Sequence, residues 1–92
     1  IEVLKNEMLS TEKGYLEKTW EDISSSKENT KVLLSVAEFG SGIYAKMERE
    51  NVNVYRGLSN LINKGIIVKL NNNSYKLSDP LFDLWLQRNI IR

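Results

Sequence analysis

The sequence predicts a mainly α fold: a winged helix-turn-helix, with a three-helix core and a two-stranded wing, carrying extra N- and C-terminal helices. Three observations lead there. Residues 54–64 carry an apolar stripe at helical spacing, opened by Asn53 and stopped by Gly65. Two short β-prone runs follow, 66–70 and 74–77, on either side of Asn71-Asn72-Asn73. Two more helical segments come before, joined by Gly40-Ser41-Gly42. Helix, stop, strand, tight turn, strand is the order of the back half of such a fold.

Taken in order, residues 1–24 read as a helical extension. Ile1, Leu4 and Met8 form one stripe and Leu16, Trp20 and Ile23 another, with Gly14 between them, so the segment is one kinked helix or two. Ser24-Ser25-Ser26 breaks it. Ser25 with Glu28 three residues on fits a capping box, opening a helix through Phe39 with Val32, Leu33, Val36 and Ala37 inward. A third helix, from 43 to about 50, adds Ile43 and Met47 to the core.

Asn53 suits an N-cap, because its side-chain oxygen can accept from a first-turn N–H. Val54, Leu58, Leu61 and Ile62 then point inward at i, i+4, i+7 and i+8. Gly65 suits the left-handed position after a helix. Ile66-Ile67-Val68 is β-branched, as a strand favours, and the asparagine triplet makes a turn because Asn tolerates positive φ. Asp79-Pro80 then pairs a good N-cap with the residue best tolerated at the first helical position. The last helix, over 81–88, is apolar on more than one face, as helices buried on two sides are. The chain divides into the extension (1–24), the winged helix-turn-helix (25–78) and a C-terminal helix packed on the same domain (79–92). Leu33, Val36, Met47, Leu58, Leu61, Ile62, Phe82 and Trp85 are expected to share one core.

At 92 residues there is room for one core. The chain has no cysteine and no histidine, so disulfides, thiolate metal sites and an imidazole base are excluded. Cysteine absence fits a reducing compartment, and a cytoplasmic location is expected. No apolar run approaches the roughly 18 residues of a membrane span, and no signal peptide is visible. A start at Ile1 rather than Met leads us to expect a fragment of something longer. Net charge is only +1, but it is unevenly spread. Residues 1–30 hold seven acids against four lysines, whereas 53–78 hold Arg56, Lys64, Lys69 and Lys76 and no acid. Positive charge on the helix and wing is where a DNA backbone would lie.

No arrangement of nucleophile, base and oxyanion donors can be assembled from these residues, so no catalytic site is expected in this segment. Gly40-Ser41-Gly42-Ile43-Tyr44-Ala45 matches the dinucleotide-binding G-x-G-x-x-G/A pattern, and residues 32–39 could pass for its strand. That reading needs an acid about 20 residues on to hold a ribose. Residues 51–78 contain none, so a plain helix-to-helix turn is expected. Glu48 and Glu50 lie two apart, which on a helix turns them to different sides. No P-loop is present.

The stretch Tyr75-Lys76-Leu77-Ser78-Asp79-Pro80-Leu81-Phe82-Asp83-Leu84-Trp85-Leu86 resembles the C-terminal winged-helix region of the archaeal P-loop ATPases of the AAA/STAND type. Those commonly show a Leu–Gly-Ile-Ile run, a short wing, and then Y-x-L-x-D-P-L-F-x-L-W-L. Residues 61–67 and 75–86 carry the likeness. The resemblance implies an ATPase module upstream, so that ATP and magnesium belong to a missing domain and no cofactor to this segment. It leaves the winged helix free to be a DNA contact or a docking element.

Two readings therefore stand. In the first, the helix after Asn53 enters a major groove of double-stranded DNA. Arg56 and Asn60 reach base edges, Arg suiting guanine and Asn suiting adenine; Tyr55 either stacks on a sugar or base or packs under the wing, and Asn53, Ser59, Asn63 and Asn72 are further candidate DNA-binding residues. Lys64, Lys69 and Lys76 contact phosphates. In the second, the domain docks on the upstream ATPase domain or another protein and touches no DNA. A free-standing dimeric regulator, a homodimer through its terminal helices, is a third arrangement. Low net charge and the apolar last helix speak for docking; the acid-free helix and wing speak for DNA.

Overall fold

Local signals decide where each helix starts and stops. The computed structural model describes residues 13–71 and 73–91, so the Ile1, Leu4 and Met8 stripe and Asn72 lie outside the described residues. The helices are α1 (Lys13–Ser24), α2 (Lys27–Phe39), α3 (Ile43–Lys46), α4 (Val54–Asn63) and α5 (Pro80–Asn89), and the strands are β1 (Ile67–Asn71) and β2 (Ser74–Leu77). The fold is mainly helical, with one small antiparallel sheet. No described helix is long and apolar enough to cross a membrane.

The cap of α2 is Ser26, not Ser25: its Oγ accepts from the Asn29 N–H at 3.2 Å, while Ser25 Oγ donates to the Asp22 carbonyl. The one-residue shift takes Glu28 out of the capping-box position and leaves its carboxylate for other partners. α3 is a single turn rather than a helix to residue 50. After Met47 the chain offers only exposed Glu48, Arg49 and Glu50 before Val52, so no burial supports a longer helix. α4 opens as expected, Asn53 Oδ1 accepting from the Arg56 N–H at 3.0 Å. It closes with Gly65 at φ 74°, whose N–H reaches the Ile62 carbonyl while Ile66 N–H reaches that of Leu61. This paired C-terminal motif commits Ile66, so β1 begins one residue later than the sequence pattern suggests.

α5 starts on Asp79, whose Oδ1 accepts from Leu81 N–H at 2.9 Å, with Pro80 where no donor is needed. Asp79→Ala should cost about 1 kcal/mol. In a domain of this size that is a fall of roughly 4–8 °C in the thermal midpoint, measurable by circular dichroism.

α2 is the central helix, touching α1, α3, α4, α5 and β2. Around it Leu16, Val32, Leu33, Ile43, Leu61, Ile67 and Leu86 are fully buried, and Val36, Met47, Leu58, Phe82 and Trp85 are buried with them. Ile62 is the exception to the expected core: it is 38% exposed. α4 approaches α2 at Gly57, where an added Cβ would lie 2.6 Å from Val32 Cγ2. That contact centres the buried arc of α4 on Val54, Gly57, Leu58 and Leu61, and Ile62 falls beyond its edge. On α5, Trp85 stacks with Phe82 (centroids 5.9 Å apart) and meets Trp20 of α1 at 6.4 Å. The apolar surplus of the last helix is thus covered in part by the N-terminal extension.

The sheet pairs Ile67 with Leu77, Val68 with Lys76 and Lys69 with Tyr75, then shifts register so that Asn71 pairs with Ser74 and Leu70 bulges. Asn71 Oδ1 accepts from Asn73 N–H at 3.0 Å. The described part of the turn uses this side-chain bond rather than positive φ, which no described non-glycine residue adopts. Ser41 forms an isolated bridge with Ser74, and Tyr75 N–H donates to the Gly40 carbonyl at 2.7 Å. Gly40 and Gly42, both at positive φ, make the corner between α2 and α3. Residues 32–39 are helical, not a strand, which removes the dinucleotide-binding reading.

Candidate nucleic-acid interface

The exposed side of α4 and the ribbon β1–β2 form one continuous surface, joined through the Gly65 turn. Along α4, Tyr55 is 69% exposed, Asn63 and Lys64 are exposed, and Ser59 and Asn60 are half-buried. Asn53 is exposed, but its carbonyl oxygen serves as the helix cap.

Arg56 has a partner that the sequence spacing did not reveal. Its Nε donates to Glu28 Oε2 at 2.8 Å and its Nη2 to Glu28 Oε1 at 3.0 Å. Oε1 also accepts the backbone N–H of Asn53 at 2.9 Å. Glu28 thus ties the first turn of α2 to the start of α4. Hydrogen bonds from Arg56 first, and from Asn53 second, hold the Glu28 carboxyl below the usual carboxylate range. The acid-free face of 53–78 therefore has a carboxylate beside it, supplied by another helix. Nothing in the local sequence around either residue signals the pair; only the packing of α2 on α4 brings them together.

Lys69 and Lys76 stand on opposite faces of the ribbon. Lys69 pairs with buried Tyr75 and lines a groove between α4 and the ribbon, whereas Lys76 pairs with Val68 on the outer face. The groove, about 290 Å³, is walled by Tyr44, Tyr55, Ser59, Ile62 and Tyr75. Tyr44 is a second residue the sequence reading did not single out; it arrives from α3 through the Gly42 corner. Among the described residues, no carboxylate lies within ion-pair distance of Lys64, Lys69 or Lys76. The structure therefore brings Tyr55, Ser59 and Lys69 to one groove, holds Arg56 against Glu28, and sets Lys76 apart on the outer side.

No family model, no curated protein and no solved structure matches the chain.

Proposed function

We propose that this chain is a winged helix-turn-helix module that binds duplex DNA, with α4 in the major groove and the ribbon as its wing. The order α2, the bridged residue Ser41, α3, α4 and then the ribbon is the order such a module needs. The observation that carries the reading is the set of Lys64, Lys69 and Lys76, unpaired by any described carboxylate, around an exposed polar helix. A ribbon with one lysine on each face can reach the phosphate rows on both sides of a minor groove, about 6 Å wide. On the resemblance of residues 75–86, we further propose that the module is carried at the C-terminus of a P-loop ATPase.

The test is fluorescence anisotropy with a labelled duplex at several salt concentrations. If the three lysines each neutralise a phosphate, log affinity should fall against log salt with a slope of about −3, from roughly −0.9 per phosphate. Lys69→Ala should weaken all duplexes alike and flatten that slope by about 1. One observation favours docking instead: Tyr44, Tyr55 and Ile62 are exposed along the same groove. On that reading the titration stays flat at physiological salt, in the chain and in its full-length parent.

A further inference from the structure

The Glu28–Arg56 pair uses one edge of the guanidinium and leaves another open. Nε and Nη2 point at the carboxylate; the edge formed by Nη1 and the remaining Nη2 hydrogen is uncommitted to it. The pair is asymmetric in depth. The Arg56 side chain is 65% exposed and that of Glu28 only 17%, so the carboxylate sits behind the guanidinium and the guanidinium faces outward. Gly57 brings α4 close to α2 at Val32, where a Cβ would lie 2.6 Å from Cγ2, and Glu28 stands one turn before Val32 on the same helix. Both carboxylate oxygens are satisfied, by Arg56 and by the Asn53 N–H.

A long arginine on an exposed helix ordinarily samples many rotamers, and ordering it opposes binding. Here the carboxylate fixes the plane and direction of the guanidinium before any ligand arrives. Guanine presents O6 and N7 side by side in the major groove, and they accept two parallel N–H groups from one guanidinium edge. Resting on the DNA reading above, we infer that Glu28 is a positioning residue. It holds Arg56 with its free edge outward to read a guanine. The pair is close to neutral as a unit, so Arg56 contributes to sequence preference more than to the salt-dependent attraction carried by the lysines.

That division of labour gives a signature a merely structural role would not produce. The probe is a randomised duplex library, from which the chain selects its site. The selected site should contain a guanine whose replacement by 7-deazaguanine, which lacks the N7 acceptor, weakens binding about ten-fold. Arg56→Ala should abolish that sensitivity. Glu28→Gln frees the arginine charge but loosens its orientation. It should lose most of the sensitivity while making the salt slope steeper by up to about 1. Glu28→Asp keeps the charge but shortens the reach, and should lose sensitivity without the steeper slope. Thermal melts of each variant report folding separately.

Full retention of the 7-deazaguanine effect in both Glu28 variants would overturn the inference, as would a selected site with no guanine dependent on Arg56. Equal losses on every duplex in a variant with a lowered melting point would assign Glu28 a structural role only. Binding of duplexes in the anisotropy titration with no site enriched from the library would overturn the inference alone, whereas no binding of any duplex would overturn the DNA reading itself.

Discussion

Leu61→Ala should destabilise the domain by about 2–5 kcal/mol, the range for truncating a fully buried leucine. Leu61 has no exposed surface and is the last buried residue on the inward side of α4. Its carbonyl also accepts Ile66 N–H in the motif that ends the helix, so the surrounding backbone is held and poorly able to collapse into the cavity. In a domain this small the midpoint should fall by roughly 10 °C or more. A melt followed by circular dichroism and a urea titration both measure it. An unchanged midpoint would mean that α4 does not bury the Val54, Leu58 and Leu61 stripe.

Gly57→Ala should also destabilise, against the direction helix propensity alone predicts. In an exposed helix interior, alanine is about 1 kcal/mol more favourable than glycine. Here the new methyl would lie 2.6 Å from Val32 Cγ2 and 3.2 Å from its Cβ. Val32 is fully buried on the central helix and is not a flexible tip that swings aside. Overpacking of this kind costs about 1–3 kcal/mol, and the loss should appear in the urea midpoint. Adding Val32→Ala removes the opposing methyl groups and should recover part of that loss in a double-mutant cycle. A Gly57→Ala protein more stable than the parent would show that α4 stands further from α2 than described.

Most of the backbone was legible because its signals are local. Asn53, Asp79-Pro80 and Gly65 cap or stop helices through their own atoms and their immediate neighbours, and the β-branched run and the asparagine turn act in the same way. The errors arose where tertiary contacts chose between local options. The serine triplet offers three caps, and the helix opens on Ser26. Ile62 fits a helical stripe by spacing, but the close approach at Gly57 rotated α4 and left it outside. The surface was less legible than the fold. Tyr55, Ser59 and Lys69 are each visible in the sequence as polar or basic positions, yet their meeting with Tyr44 depends on the corner at Gly42. Glu28 was visible only as a capping residue, because its real partner is 28 positions away and joined to it by nothing except helix packing.

The attachment of the ribbon bears on how the molecule can move. A ribbon joined to its helix by one turn would swing about that turn as a lever about a hinge. This one is held at two separated points: the Gly65 turn behind β1, and the backbone bonds from Gly40 and Gly42 to Tyr75 and Asn73 beside β2. Two anchors make a bracket. The angle between α4 and the ribbon is set by the corner leaving α2 as well as by the end of α4, so the opening between them is built before anything enters it. A surface preformed in this way spends little of its binding energy on rearrangement.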